Sequence, residues 1–495
     1  MRQPEADRLV QAAAAELVNG RIAQATNLLD AALRADPHHT MALTKQAEVA
    51  IYRKDPERAL ALTGEVLAIE PNFAPAWHQR ASAFWLAGRH AEAAQAARTA
   101  VEIQPPNPEY RLRSAQFSAW TGHGADTRDV LTPLLAAERH HPVSYAAAVS
   151  MLGELAVAEG RFDEARRYLD QALALQPGLV ATRMLRGMNQ LRLGQFGDGW
   201  VDYAARESIR ALYPDDPPAL ANQRWQGQAL AGRTLLVIDD QGHGDAIQFV
   251  RYLPLLRDRG AAHITWRTFP PLVRLLSDAA PYATVVNTLP DSARFDFQCN
   301  STSLPRWFGT ELDSIPAAGP YLRPPSHLKS AMKPPTARRL KVGLAWSGDA
   351  RHTRDHLRSI PADLFLGLAD LPGISFHSLQ HEVRGPDLPA LRTRPKIGRE
   401  VEKAADFADT AALIACLDLV ITVDTAIAHL AGALGKPVWI VLHVAPDWRW
   451  LTQRTDSPWY PSVRLFRVTP AEWLGGAGWG PVVDRVATAL RTLAG

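Results

Sequence analysis

The sequence predicts an N-terminal α-solenoid followed by two α/β lobes built on parallel sheets. Three observations carry this. Over the early chain, prolines and alanines recur every 34 residues (Pro37, Pro71, Pro105 and Ala25, Ala59, Ala93), the period of a stacked two-helix repeat. Farther on, short β-branched apolar runs alternate with helical stretches, as strands buried on both faces of a parallel sheet do. Two of these strand-loop-helix-strand units, at 234–267 and 419–442, carry polar residues at the strand ends.

A chain of 495 residues is long enough for about three domains. The expected boundaries give 1–212, 213–325 and 326–495. Charged residues are 21% and hydrophobic ones 47%, an ordinary globular balance. A net charge of +3 is too small for this length to suggest nucleic acid or an anionic membrane as partner. Cys299 and Cys416 give no disulfide framework, and Cys416, in an apolar helical run, is expected in the core. The opening MRQPEADRLV has charges and no apolar signal core, and no 18-residue apolar run occurs. A cytoplasmic protein without a membrane span is therefore expected.

The 34-residue period is that of tetratricopeptide repeats. Trp77, Ala81 and Ala100 fall on repeat positions of the third unit. The spacing slips at Pro142 and recovers at Pro177. Five units are expected from about residue 6 to 178, the fourth degenerate, with a sixth helix pair around 185–207 as a cap. The small residues let helices approach and the prolines end second helices, so these marks are structural. Such a superhelix offers a concave groove that takes an extended peptide or a partner protein.

Tyr213–Pro218 is a turn-rich break. Thr234–Ile238 reads as a buried strand, Ala246–Asp258 as an amphipathic helix and His263–Arg267 as the next strand. Between the first two lies Asp239-Asp-Gln-Gly-His-Gly-Asp245. Gly242 and Gly244 let this loop turn tightly and let a substrate approach backbone. The loop lacks the third glycine of a dinucleotide fingerprint and the lysine of a P-loop. Asp239 and Asp240 are adjacent on a strand end and face opposite sides, which argues against a shared metal. From position alone, Asp245 is a helix N-cap.

The stretch 297–335, rich in Pro, Ser and Gly, reads as the crossing between lobes. Val342–Trp346 is the next strand. Its loop, Ser347 to Pro361, carries Arg351, Arg354, Arg358, His352 and His356, suiting it to an anion; Arg354 reads as solvated. Ile374–Gln380 is another strand, and Gln380 is either a ligand contact or a plain strand-end amide. Asp406–Leu417 reads as a helix capped by Asp409-Thr410.

Leu419–Val423 and Val438–Leu442 are two further strands around a short helix from Ala426 to Leu434. Asp424 or Thr425 caps that helix, and Gly435-Lys436-Pro437 stops it. The helix start points N–H groups at the carboxyl edge of the sheet, where ligands of open α/β folds bind. His429 lies one turn in and is either an added donor or a half-buried ring. The aromatic segments Ala445–Trp450 and Ser457–Pro461 form either a cleft lip or packing. Val463–Arg467 is a strand, and a helix near 481–493 closes the chain.

The segment Asp424-Thr425-Ala426-x-x-His429-Leu430-Ala431, followed by Gly435-Lys436-Pro437, resembles the D-T-G-x-x-H-L signature of the heptosyltransferase-type GT-B glycosyltransferases. Ala426 stands where Gly is usual. Gly244-Asp245 through Pro254 resembles the acceptor-side Gly-Asp…Pro segment of the same enzymes, and Arg358-Ser-Ile-Pro361 resembles their basic-x-x-Pro element, with Arg for Lys. The whole layout is similar to bacterial repeat-containing glycosyltransferases, a group that includes enzymes modifying flagellin.

The resemblance implies a metal-independent glycosyltransferase with a GT-B pair of lobes. Asp245 would be the general base, with Gly242 and Gly244 in the acceptor loop. Ser347, Arg351, Arg358, Gln380, Asp424, Thr425, Ala426 and His429 would hold a nucleotide-sugar donor. No cofactor is expected beyond that substrate, which would be CMP-linked if the flagellin-modifying enzymes are the guide. The acceptor would be a protein Ser or Thr, flagellin in that case, delivered through the repeat groove. Two alternatives remain: a repeat scaffold with a decayed transferase, and a transferase acting on lipopolysaccharide or another glycan.

Overall fold

A computed structural model of the chain describes residues 3–121, 124–136, 142–208, 223–290, 292–316, 319–325, 327–328, 340–350, 352 and 354–494. The chain divides into two compact units, one of Met1–Pro177 with Ala350–Thr353, the other of Gly178–Asp349 with Arg354–Gly495.

The first unit holds helix pairs Gln3–Val18/Ile22–Ala35, Thr40–Tyr52/Pro56–Ile69, Ala74–Leu86/His90–Ile103, Pro108–Trp120/Gly124–Ala136 and Pro142–Ala158/Phe162–Leu175. Ala25, Ala59 and Ala93, one period apart, are all fully buried; a larger side chain would push the helices apart. Four second helices end two residues before Pro37, Pro71, Pro105 and Pro177. The residue preceding each proline is forced out of the helical region, and Asp36 is accordingly extended at φ −140°. Pro142 breaks the spacing because it opens a helix, where its missing N–H costs nothing. The degenerate fourth unit carries Pro133 inside its second helix.

The sixth pair, Val180–Arg192 and Phe196–Tyr203, falls in the second unit. The compact division at Pro177 therefore precedes the expected boundary at 212, because this pair packs on the α/β loops. Trp200 donates from Nε1 to the Thr310 carbonyl at 2.8 Å and meets Trp448 edge-on at 5.1 Å. Phe196 stacks on Trp459. The break at 213–218 and the residues on either side of 212 lie outside the described residues, as does residue 326 after the second boundary.

The first lobe is a parallel sheet of order β3-β2-β1-β4, with β1 Thr234–Ile238, β2 His263–Arg267, β3 Thr284–Val286 and β4 Phe297–Asn300. The second is a parallel sheet of order β6-β5-β7-β8-β9, with β5 Leu340–Ala345, β6 Ile374–Ser378, β7 Leu419–Val423, β8 Val438–Leu442 and β9 Val463–Arg467. Strand order reverses direction beside β1 in the first sheet and beside β5 in the second. Ligand crevices of open α/β sheets lie at the carboxyl ends of such strands, which are the two loops singled out from sequence.

Several expectations are corrected. The stretch from 297 is not all crossing: Phe297–Asn300 is β4, paired with β1. The first-lobe helix starts at His243, and a 3₁₀ turn over Val250–Tyr252 interrupts it before Leu253–Asp258, because Pro254 lacks a donor. β5 starts at Leu340 and ends at Ala345, and β6 stops at Ser378. Asp406, not Asp409-Thr410, caps the helix Phe407–Ala415, accepting from Ala408 N at 2.8 Å. Cys416 is half-buried, and Cys299 is the buried thiol. The aromatic loop is packing: Trp448, Trp450, Trp459 and Tyr460 are at most 1% exposed and join one core with residues of both lobes. Among the described residues, no helix is long and apolar enough to cross a membrane.

Candidate active site

The second lobe supplies the β7 loop and the helix Ala426–Ala433. Of the two capping candidates, Thr425 caps: its Oγ1 accepts from Ile427 N at 3.3 Å. That leaves the Asp424 carboxyl uncommitted to the cap. Burial and then the Asp447 carboxylate push it up to about 6, against the pull of Arg358. Arg358 donates to the Asp424 carbonyl at 3.3 Å. It fits there because residue 348 is glycine; a Cβ would lie 2.6 Å from Arg358 Nη2. Asp355 braces the arginine at 3.4 Å and is itself held by Arg384 at 2.6 Å.

Ser347 and Gln380 come together at the ends of β5 and β6. The Gln380 amide accepts from Ser347 N at 3.2 Å and donates to Ser347 O at 3.1 Å. It also donates to Glu382 O, so its amide fixes the β5 loop. The structure thus brings Ser347, Arg358, Gln380, Asp424, Thr425 and Ala426 to one edge of the second sheet. Arg351 lies outside the described residues.

His429 is 5% exposed. Its Nδ1 lies 2.8 Å from the Tyr460 hydroxyl, and its ring stacks on Trp450. Burial, then the Arg449 charge, hold it well below the usual imidazole range. The ring packs at the joint between the lobes, against Gly244 of the first.

The first lobe meets this edge through Gly244. A Cβ there would lie 2.7 Å from His429 Cδ2 and 3.6 Å from Ala426 Cα, so glycine is what permits the approach. The next residue, Asp245, therefore lies beside the Thr425–His429 segment. Its Oδ2 accepts from Gly242 N at 2.9 Å, which closes the first turn of its own helix. Its other oxygen pairs with Arg449 of the second lobe.

Arg449 escaped the sequence reading. It also bonds Gln248 and donates to Asp447 Oδ1 at 2.9 Å. Burial lowers its proton affinity, yet Asp245 and Asp447 raise it by more, so it stays charged. Asp447, opposed by burial, is held below the usual carboxylate range by Arg449. The one local signal is the spacing Asp447-x-Arg449.

Asp239 and Asp240 bond to different partners. Asp239 accepts from Trp266 Nε1 at 2.8 Å, and Asp240 from Thr302 Oγ1 at 2.8 Å. Burial pushes Asp239 up to about 7 and Asp240 up to about 6. Among the described residues, no group of three or more His, Cys, Asp or Glu is placed to hold a metal ion.

Residues 400–448 match the model of glycosyltransferase family 9 (heptosyltransferase). Residues 10–75, 44–108 and 146–179 match tetratricopeptide repeat models. Both matches lie in one chain, and the unmatched 109–145 contain most of the degenerate fourth unit. Protein FlbA of Caulobacter vibrioides is 29% identical over 344 residues, covering 64% of this chain and 56% of FlbA. The chain thus spans little more than half the length of that curated relative. The O-GlcNAc transferase of Thermobaculum terrenum is 14% identical over 92% of each chain, with a TM-score of 0.36. The E. coli ADP-heptose lipopolysaccharide heptosyltransferase II is 14% identical, covering 53% of this chain and 98% of its own, with a TM-score of 0.36.

Proposed function

We propose that this chain is a glycosyltransferase that moves a sugar from a nucleotide-sugar to a hydroxyl. The observation that supports it is the meeting of Gly244-Asp245 with the start of the Ala426–Ala433 helix. A carboxylate of one lobe lies beside the helix start of the other, whose free N–H groups suit an anion. The family 9 match over 400–448 covers the second of these motifs.

The chemistry follows from the parts. The acceptor oxygen bonds to the anomeric carbon while the bond from that carbon to the phosphate oxygen breaks. The electron pair leaves on the phosphate. Arg358 and the helix N–H groups offset that charge, and fixed donors stabilise it at no reorganisation cost. The acceptor proton passes to Asp245, and a placed general base is worth about 10²–10⁴ in rate. The reaction needs no metal and no cofactor beyond the donor.

The acceptor is a protein Ser or Thr brought by the repeats, and the leading candidate is flagellin with a CMP-linked nonulosonic acid as donor. The likeness to repeat-containing enzymes that modify flagellin supports this choice. Titration of CDP, CMP, UDP and ADP into wild type and Arg358→Ala tests the transferase reading. Micromolar binding of one nucleotide, weakened by the substitution, is expected; no binding of any at millimolar concentration overturns it. Intact mass of flagellin co-expressed with the chain and its donor pathway tests the acceptor. An unchanged mass together with nucleotide binding redirects the search to a glycan.

A further inference from the structure

Beside Asp245 lies a cation that the proposed reaction does not yet use. Arg449 sits in the Trp448–Trp450 turn after β8, with its side chain 7% exposed. All three guanidinium nitrogens are engaged. Nη2 meets Asp245 and Nε meets Gln248, both on the first lobe's helix, while Nη1 holds Asp447 on its own loop. The guanidinium lies over the Trp448 ring at 4.3 Å, which limits the directions in which it can turn.

Asp245, in turn, accepts on both oxygens, from Arg449 on one and from Gly242 N–H on the other; each oxygen keeps a second lone pair, but the guanidinium covers one approach to the carboxylate. An acceptor hydroxyl needs one of them to take its proton. The Gly242 bond is part of the helix turn and holds the carboxylate in place. The Arg449 bond is the one that can be exchanged. The residue next to Asp245 in sequence touches the helix start that would seat the donor phosphate, and Arg449 is among the charges that act on both Asp424 and His429 there. A phosphate carries more charge than a carboxylate and presents several oxygens to the guanidinium fork.

Resting on the transferase reading above, we propose that Arg449 is a donor-gated latch on the base. With no donor bound it holds Asp245. When a donor phosphate is seated against the Ala426–Ala433 helix, Arg449 turns to that phosphate and frees the carboxylate. The acceptor proton then goes to the released Asp245 oxygen, and the electron pair from the broken sugar–phosphate bond goes to the oxygen that Arg449 now faces. Donor binding must therefore precede deprotonation of the acceptor.

Two anions that compete for one guanidinium are linked thermodynamically. Removing the Asp245 charge must tighten phosphate binding, and must do so through Arg449. A double-mutant cycle isolates that pairwise effect. Inorganic pyrophosphate is the probe, titrated calorimetrically into wild type, Asp245→Asn, Arg449→Met and the double variant, with the melting temperature of each confirming folding.

The latch predicts that Asp245→Asn tightens pyrophosphate binding by roughly 5-fold or more, the lower end of usual coupling between sites. It predicts that Arg449→Met weakens binding, and that Asp245→Asn changes affinity less than about 2-fold once Arg449 is gone. An equal tightening in the Arg449→Met background means plain repulsion through space and overturns the latch. So does an Asp245→Asn variant that binds pyrophosphate no better than wild type. If Arg449→Met does not fold, Arg449→Lys takes its place in the cycle. Lysine keeps the charge without the fork, so the Asp245→Asn effect must shrink, and an undiminished effect counts against the latch. Failure of the transferase reading shows separately, as loss of binding to all four nucleotides while the pyrophosphate cycle still reads Arg449.

Discussion

Two buried arginines join the lobes, from opposite sides and in different company. Arg449 of the second lobe reaches carboxylates, Asp245 and Asp447. Arg251 of the first lobe reaches neutral groups: it donates to the Trp459 carbonyl at 2.8 Å and to the Tyr321 hydroxyl at 2.9 Å. It also lies within 4.7 Å of the Tyr321 and Tyr460 ring centres. The same side chain thus builds two kinds of joint. Carbonyls, hydroxyls and ring faces keep their character across the physiological pH range and do not compete with anions. Carboxylates change with pH and compete with phosphate. The first joint is a fixed bolt, and the second responds to charge.

The largest effect expected from this contrast is on stability. Arg449→Met leaves buried carboxylates without their cation, a loss of about 3–5 kcal/mol by urea denaturation at pH 7. Arg251→Met leaves only neutral acceptors unpaired and should cost about 1–3 kcal/mol. The pH dependence sharpens the comparison. Asp447 is held below its unfolded value by Arg449, so the stability it contributes is full above the unfolded carboxylate pKa and is lost as pH falls through the folded one. The Arg449→Met deficit should therefore shrink in acid, while the Arg251→Met deficit stays flat from pH 4 to 8. Equal costs with equal pH profiles would remove the distinction.

The next effect is at the contact between the lobes. Gly244→Ala puts a methyl 2.7 Å from His429 Cδ2 and should cost about 1–3 kcal/mol. Gly242→Ala, whose methyl meets only Asp245 Oδ2 at 3.3 Å, should cost less. Thermal melts of both variants check the order.

The smallest effect is away from the joint. Burial raises Asp239 to about 7 in the folded chain, above its unfolded value. The stability it contributes is therefore full below the unfolded pKa and is lost as pH rises through the folded one. Asp239→Asn should match wild type at pH 4 and melt higher at pH 8. Asparagine is still a buried polar group and relieves only part of the cost. The gain should be about 1–2 °C, the shift that ~1 kcal/mol produces in a unit of this size.

Five strands match the structure residue for residue: Thr234–Ile238, Leu419–Val423 and Val438–Leu442, whose residues are mostly apolar and β-branched, and His263–Arg267 and Val463–Arg467, which keep an apolar centre between polar ends. β4 was not legible because Gln298, Cys299 and Asn300 lack that composition, and only pairing with β1 makes them a strand. β3 has three residues, too few for any periodicity. The caps show the same limit, since Asp406 and Asp409 are equally good in sequence and the preceding chain direction decides between them. Asp245, Thr425 and Gly244 were legible because each sits at a strand-to-helix turn. Arg449 was not, because its partner Asp245 lies 204 residues away, and the local spacing Asp447-x-Arg449 alone does not single it out. His429 was legible as a residue one turn into the helix, but its burial against Tyr460 and Trp450 comes only with folding.

Separating binding from chemistry at the Asp245 carboxylate tests the account most directly. Nucleotide affinity and sugar transfer are measured side by side for wild type and Asp245→Asn, using the nucleotide that wild type binds best. The account predicts that the variant binds that nucleotide at least as tightly and transfers sugar about 10²–10⁴-fold more slowly. An Asp245→Asn variant that transfers at the wild-type rate would contradict it.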